Sequence, residues 1–249
     1  MNIFHPATFD DLNQARKIRM RNALIAAAAP AALALLEIFH PHPGHHLLAL
    51  DVRTWLVVHY FQVPLFAMSA FSVASLVHAQ VGLPAQLCRT ALFVFALCFV
   101  VFDTAAGLVV GSLVEAAHAS GRPDAWQAPI NAIWTHPILG GTNHPLLALV
   151  GRMSLFVGTM SAAVSLYHAG RPWRPILLLA LSGGVMYVFP GHSWPGGPLT
   201  FGTMAVAIAW LHAARPRMTL DQWFPGMRGQ DPERRPAPRA SIRDNRQRP

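Results

Sequence analysis

The sequence predicts an all-α fold, a polytopic bundle of about six transmembrane helices arranged as three helical hairpins. Three observations lead to this prediction. Of the 249 residues, 53% are hydrophobic and only 12% are charged, against about 25% charged in ordinary soluble domains. Apolar runs of nearly bilayer length recur along the chain. Basic residues collect at the two ends and in the short connections between these runs.

The predicted spans cover residues 22–39, 54–77, 90–114, 145–167, 175–189 and 198–213. The last two are short, and Gly183 with Gly184 weakens the fifth. Pro30 and Pro64 lie inside spans, where neighbouring helices can satisfy the freed carbonyl groups. We therefore expect kinks at these prolines rather than breaks.

Three regions follow from this pattern. Residues 1–21 form a cytoplasmic N-terminal segment, in part an amphipathic helix, residues 22–214 form the six-span domain, and residues 215–249 form a disordered basic tail rich in proline and arginine. The stretch "KIRMRNALIAAAAPAALA" also resembles a signal peptide, which would be cleaved. About fifteen residues precede its basic cluster, Asp10 and Asp11 among them, and they argue against cleavage.

The distribution of basic residues predicts the orientation. Of the 19 Lys and Arg residues, sixteen fall on the side of the two termini, Arg53 and Arg122 fall on the other side, and Arg152 lies within the fourth predicted span. The positive-inside rule places both termini in the cytoplasm of a bacterial inner membrane. A pI of about 10.9 is explained by this topology, so the expected partners are the lipid bilayer and, for the tail, anionic headgroups. Nucleic acid is not expected, and no protein partner is indicated.

An internal repeat supports the hairpin arrangement. The segment "LFVGTMSAAVSLYHAGRP" (residues 155–172) aligns without gaps on "LTFGTMAVAIAWLHAARP" (residues 199–216), and "LFAMSAFSVASLVHA" (residues 65–79) aligns on the first of these. Each segment ends in His-Ala, at His78, His168 and His212. Histidine suits the C-terminus of a helix at an interface, so we interpret these three as anchors.

The connection between the third and fourth spans is too apolar for a plain linker. Trp126, Ile130, Ile133 and Trp134 recur at helical spacing. This spacing predicts a short amphipathic helix that lies in the outer interface with its tryptophans at headgroup depth.

Asp103 is an isolated acid in the third span. It lies about 20 Å along that span from the inner side, and Arg152 lies about 10 Å into the fourth span from the outer side, so the two depths match. A lone charge there costs at least ~2.5 kcal/mol, which predicts an ion pair between them, substrate-binding or structural. Gly107 and Gly111 share the helix face of Asp103, so we expect Asp103 to point into a helix interface. With Glu37, His59 and Gln62, the pair would line an outward-opening polar cavity.

Histidines are concentrated in the outer connections, in "HPHPGHH", "NHP" and "GHSWPGGP". Histidine is the commonest metal ligand, so a transition metal site is a candidate, with its ligands among His42, His45, His46, His144 and His192. A bis-histidine haem is a further alternative, with His59 inside the second span and His144 at the mouth of the fourth span as its two ligands.

The pieces "HPHPGHHLLALDVRTWLVVHYFQVPLF", "VFDTAAGLVVG" and "GHSWPGGPLTFG" resemble a family of bacterial polytopic integral membrane proteins with no assigned biochemical function. The resemblance covers residues of about 40 to 213. It implies a recurrent fold of about six spans and implies no activity.

Three functional classes remain open: a small-solute or ion carrier that uses the polar cavity, a metal- or haem-binding redox protein that uses the outer histidines, and a non-catalytic assembly or partner subunit. Internal repeats are common in carriers. No nucleophile–base motif, phosphate loop or carboxylate pair indicates an enzyme.

Overall fold

The computed structural model describes residues 9–43, 46–142, 144–189 and 191–214. Within these ranges every regular element is helical, which confirms the predicted all-α class. The elements are α1 (Phe9–Ile38), α2 (Val52–Ser75), α3 (Leu83–Phe102), a π-helical segment (Asp103–Val109), α4 (Val110–Ala119), α5 (Gln127–Trp134), α6 (Leu146–His168), α7 (Trp173–Val188) and α8 (Gly196–Ala213), with 3-10 turns at Leu47–Ala49 and Pro123–Trp126. The predicted tail, residues 215–249, lies outside the described residues.

Four helices in the described part of the chain are long and apolar enough to cross a membrane: Arg16–Ile38, Val52–Ser75, Leu83–Ala119 and Leu146–His168. Of the remaining apolar helices, α7 has 16 residues and α8 has 18. Large apolar side chains such as Leu24, Phe71, Phe93 and Val188 are exposed on the outer surface of the bundle. Soluble proteins rarely expose so much contiguous apolar surface, so both observations support a membrane protein.

The third span is longer than predicted, because α3, the π-helical segment and α4 form one helix of 37 residues, Leu83–Ala119. It begins after Gly82, whose φ is 112°, and Pro84 in the first turn has a φ already suited to a helix start. Pro30 and Pro64 lie inside α1 and α2, and neither proline ends its helix.

The main core is held together by aromatic rings and by glycines that let helices approach closely. Phe99 stacks 4.9 Å from Phe66 and 4.9 Å from Phe95, measured between ring centroids. A Cβ atom on Gly151 of α6 would come within 2.6 Å of the Phe99 ring on α3. Close contact of this kind drives helix association in lipid, where the hydrophobic effect between helices is lost.

A second, smaller cluster lies beside the main core. Leu47, Val110, Val114, Ala117 and Ile130 are buried together, and Ile130 is fully buried. The predicted amphipathic helix is present as α5 (Gln127–Trp134), and its Ile130 packs against the face of α4 that carries Val110, Val114 and Ala117. Its position in the outer interface stays a prediction.

The two best-matching repeat segments form α6 and α8, and their histidines lie in the last turn of each helix. The matched glycines pack on different neighbours. Gly158 of α6 lies against Leu92 of α3, whereas Gly202 of α8 lies 3.8 Å from the Cβ atom of Ala34 of α1, measured from an ideal Cβ. The equivalent glycines of the two repeat copies therefore both face an adjacent helix, α3 in the case of α6 and α1 in the case of α8.

Candidate metal centre

A cavity of about 270 Å³ lies where α1 ends, α2 and α6 begin and α7 passes into α8. We call this the cavity end of the bundle. Ten of the eighteen residues that line it carry aromatic, histidine or charged side chains: His40, Trp55, His59, Phe99, Phe102, Asp103, Trp134, His144, Arg152 and His192. The volume is close to the lower limit for small-molecule sites.

Three of these histidines come together from distant parts of the chain. His40 follows α1, His59 lies in the second turn of α2, and His192 lies in the connection before α8. One ligand nitrogen from each ring lies within 4.8 Å of those of the other two. A tetrahedral metal with bonds of about 2.0–2.1 Å holds its ligand nitrogens roughly 3.4 Å apart, so small ring rotations complete the set.

Backbone hydrogen bonds fix two of the three imidazoles. The Nδ1 atom of His59 donates to the carbonyl oxygen of Trp55 at 2.7 Å, and the Nδ1 atom of His40 donates to that of Pro41 at 2.8 Å. A ring that donates from Nδ1 presents the lone pair of Nε2, which is how most metal-binding histidines are oriented. The buried Nε2 atoms of His40 and His192 have no hydrogen-bond partner in the described part of the chain.

Two glycines make this packing possible. A Cβ atom on Gly107 would overlap the His59 imidazole, and the carbonyl oxygen of Gly107 accepts a hydrogen bond from Trp55 Nε1 at 2.7 Å. A Cβ atom on Gly197 would overlap the His192 backbone. The predicted close approach at Gly107 and Gly111 is thus present: both glycines face α2, and the partner of Gly107 is a candidate ligand.

Asp103 begins the π-helical segment and is fully buried, as the sequence predicts for an acid in a helix interface. Its Oδ1 atom lies 3.8 Å from His192 Nε2, the one contact of 4.0 Å or less between a carboxylate and a basic side chain found among the described residues. Neither carboxylate oxygen has a hydrogen-bond partner there. A buried carboxylate without hydrogen bonds is costly unless a positive charge accompanies it.

His40 and His192, the two candidate ligands in the connections that link helices, favour the neutral form of imidazole, which is the form that binds metals. Burial lowers the pKa of His40 to about 4. Burial also lowers the pKa of His192 well below its usual value, and the neighbouring His40, His59 and Arg152 lower it further. At neutral pH these imidazoles are therefore uncharged and leave Asp103 without a cationic partner.

The structure replaces the predicted Asp103–Arg152 ion pair with a different arrangement. Both side chains line the cavity, but within the described ranges no contact of 4.0 Å or less joins them, and Arg152 Nε donates to its own helix at Ala148 O, 3.3 Å away. The reason lies in the rotation of α6: Gly151 faces α3, and Arg152 is turned about 100° from it. The sequence interpretation matched the depths of Asp103 and Arg152 along their helices, but it did not predict the direction in which Arg152 points around α6.

Glu37 and Gln62 belong to a neighbouring polar site and not to the cavity wall. Gln62 Nε2 donates to Glu37 Oε1 at 2.8 Å, and both side chains are fully buried. Gly197 of α8 packs against Glu37. Of the five residues predicted to line the cavity, His59, Asp103 and Arg152 do so, whereas Glu37 and Gln62 lie behind it.

Of the five histidines predicted as metal ligands, one belongs to the histidine cluster, three do not, and one lies outside the described residues. His192 is in the cluster, whereas His42, His46 and His144 are exposed and are not in it. His42 Nε2 instead donates to Trp194 O at 3.4 Å, and His45 lies outside the described residues. The sequence interpretation missed His40 as a ligand, although its place directly after the first span was visible.

Comparison with known proteins gives no further assignment: no family model, curated protein or solved structure matches this chain.

Proposed function

We propose that this chain is an integral membrane protein that binds one divalent transition metal ion through His40, His59 and His192. Asp103 lies beside the ion as a buried counter-charge. Three neutral imidazoles in a tetrahedral arrangement suit Zn²⁺ best, and also suit Co²⁺ or Fe²⁺.

The three histidine side chains, whose ligand nitrogens lie within 4.8 Å of one another, support this site most strongly. The Asp103 carboxylate beside them lacks hydrogen bonds in the described chain. A dication at the centre of the cluster satisfies both features: it accepts the imidazole lone pairs and compensates the carboxylate. With three protein ligands, the fourth position of the metal faces the cavity.

Metal analysis of purified protein tests the site. After reconstitution with Zn²⁺ and removal of excess metal, the protein is expected to hold one Zn²⁺ per chain, and His59→Gln is expected to hold little or none. The matched control is His78→Gln, an exposed histidine that follows the other end of α2. Wild-type protein without bound metal, or full occupancy in His59→Gln, would overturn the proposal.

We further propose six spans in three hairpins, with α7 and α8 as the fifth and sixth, and both termini in the cytoplasm. At 1.5 Å per residue α7 and α8 reach about 24 and 27 Å, slightly less than a hydrocarbon core of about 30 Å, which short spans accommodate by local thinning. On this topology the cavity opens to the outer side. Reporter fusions after residue 249 should show cytoplasmic behaviour, and a periplasmic signal would refute the orientation.

A small-solute or ion carrier is the second candidate, and the half-buried Arg152 on the cavity wall favours it. In that case Arg152→Gln abolishes solute flux into proteoliposomes while metal content stays unchanged. Absence of flux for every solute that binds the protein would leave the metal centre as the function of the cavity.

A further inference from the structure

Arg152 is the second charged group on the cavity wall, and the metal site does not use it. Its side chain is half-buried and its Nε atom donates to Ala148 O. For its two terminal nitrogens, the described residues offer no hydrogen bond and no carboxylate within 4.0 Å. A guanidinium presents several donors in a plane and binds oxyanions through two parallel hydrogen bonds.

The charges of the cavity also point to an anion. A dication beside the single carboxylate of Asp103 retains one positive charge, and Arg152 adds another. Asp103 is the only acid among the residues that line the cavity, and the aromatic walls keep the local dielectric constant low. A cavity with this excess of positive charge favours an anionic occupant.

The proposed metal ion and the Arg152 guanidinium face the same cavity. Arg152 and the three histidines line the same cavity of about 270 Å³. A metal with three protein ligands keeps one coordination position for water or a substrate atom.

We infer that the cavity binds a small oxyanion, with one oxygen on the metal and another on the Arg152 guanidinium. This inference rests on the proposed metal site and adds the ligand class. The volume of about 270 Å³ equals roughly nine water molecules at about 30 Å³ each, which admits a small ligand such as a short carboxylate or inorganic phosphate.

The test uses Co²⁺ in place of Zn²⁺, because the visible absorption of Co²⁺ reports its coordination. Acetate and phosphate are titrated separately into full-length Co²⁺ protein, with chloride as the reference salt at equal ionic strength. The wild type is expected to show a saturable spectral change with at least one of the two oxyanions. Whichever one saturates identifies the source as carboxylate or phosphate.

Arg152→Gln is expected to keep its Co²⁺ while its affinity for the oxyanion falls at least about tenfold, the usual scale for the loss of a charge-assisted pair. Arg174→Gln, an exposed arginine at the start of α7, is the matched control and should titrate as the wild type does. Arg152→Lys should recover part of the affinity, since the charge returns without the planar donors.

The outcomes separate the two levels of the proposal. A Co²⁺ protein whose spectrum ignores both oxyanions overturns the oxyanion site and leaves the metal site intact. Equal affinity in the wild type and Arg152→Gln removes Arg152 from the site. Failure to bind Co²⁺ at all rejects the metal site, and the oxyanion site with it.

Discussion

Two sets of three histidines, one at each end of this bundle, differ in their surroundings. At the cavity end His40 and His59 are buried, His192 is largely enclosed, and the ligand nitrogens converge. At the other end His78 and His168 are exposed, and His78 Nδ1 donates to Ser75 O at 2.8 Å within its own helix terminus. His212 is the intermediate case, since it is half-buried.

The comparison teaches that residue type and helix position do not distinguish a ligand from an anchor. Both sets occupy helix ends or their flanking connections. The cavity set differs because Gly107 lets its helix approach the His59 imidazole, because Gly197 lets α8 approach the His192 backbone, and because a buried carboxylate lies beside the histidines. Packing rather than sequence pattern makes one set a candidate metal site.

The largest expected effect comes from exchanging all three histidines of one end for glutamine. Loss of His40, His59 and His192 should remove the stabilisation by Zn²⁺, about 4 kcal/mol when free metal is a thousandfold above Kd. The same exchange of His78, His168 and His212 should leave it in place. Thermal unfolding with and without Zn²⁺ measures both, and equal Zn²⁺-dependent shifts in Tm would remove the distinction between the ends.

Gly107→Ala tests the close packing that sets the cavity end apart. The added methyl group overlaps the His59 imidazole, so we expect a loss of about 1–3 kcal/mol of unfolding free energy and weaker metal binding. Gly184→Ala is the control, because its nearest neighbour is 4.0 Å from the new Cβ atom. Alanine there should be neutral or stabilising by about 0.5–1 kcal/mol in denaturation experiments. Equal costs at the two sites would contradict the proposed packing.

Asp103→Asn tests the counter-charge. Outer partners of metal ligands typically contribute 10- to 100-fold in affinity, so Zn²⁺ binding should weaken by about that factor while its stoichiometry stays at one. The exposed Asp124→Asn serves as control. Competition with a coloured chelator measures the affinity, and unchanged binding in Asp103→Asn would show that the carboxylate does not act on the metal.

The smallest effect is expected at the opposite end. His168→Gln should change the unfolding free energy by no more than about 0.5 kcal/mol, as exposed substitutions usually do. Its metal content should equal that of the wild type. A loss of metal in this variant would show that the metal site, or part of it, lies at the opposite end of the bundle and not at the cavity.

Much of the fold could be predicted from the sequence because apolar runs and basic connections dictate helices in lipid directly. The α-helical class and the four membrane-length helices follow from them. Asp103 was identified as buried because an acid flanked by glycines four and eight residues later has a packed helix face to point into.

The composition of the site was less predictable, for two physical reasons. Histidines adjacent in sequence, such as His42 and His46, lie on an exposed connection, whereas His40, His59 and His192 meet only because three chain segments pack together. Depth along a helix can be counted in residues, but azimuth depends on packing. Arg152 therefore lies at the predicted depth and lines the same cavity as Asp103, but it does not contact Asp103.

The π-helical segment Asp103–Val109 links the two cores in a way that a regular helix would not. If the same residues wound as a regular α-helix instead, everything downstream would turn by about 100°. Gly111 would then leave Trp55 and Leu56, and Val114 would swing away from its cluster with Ile130. The wider turn absorbs one residue and so keeps the smaller core and the wall of the cavity in phase. A one-residue deletion should therefore be tolerated better within this segment than in the regular helix on either side, where the same deletion would turn one core against the other.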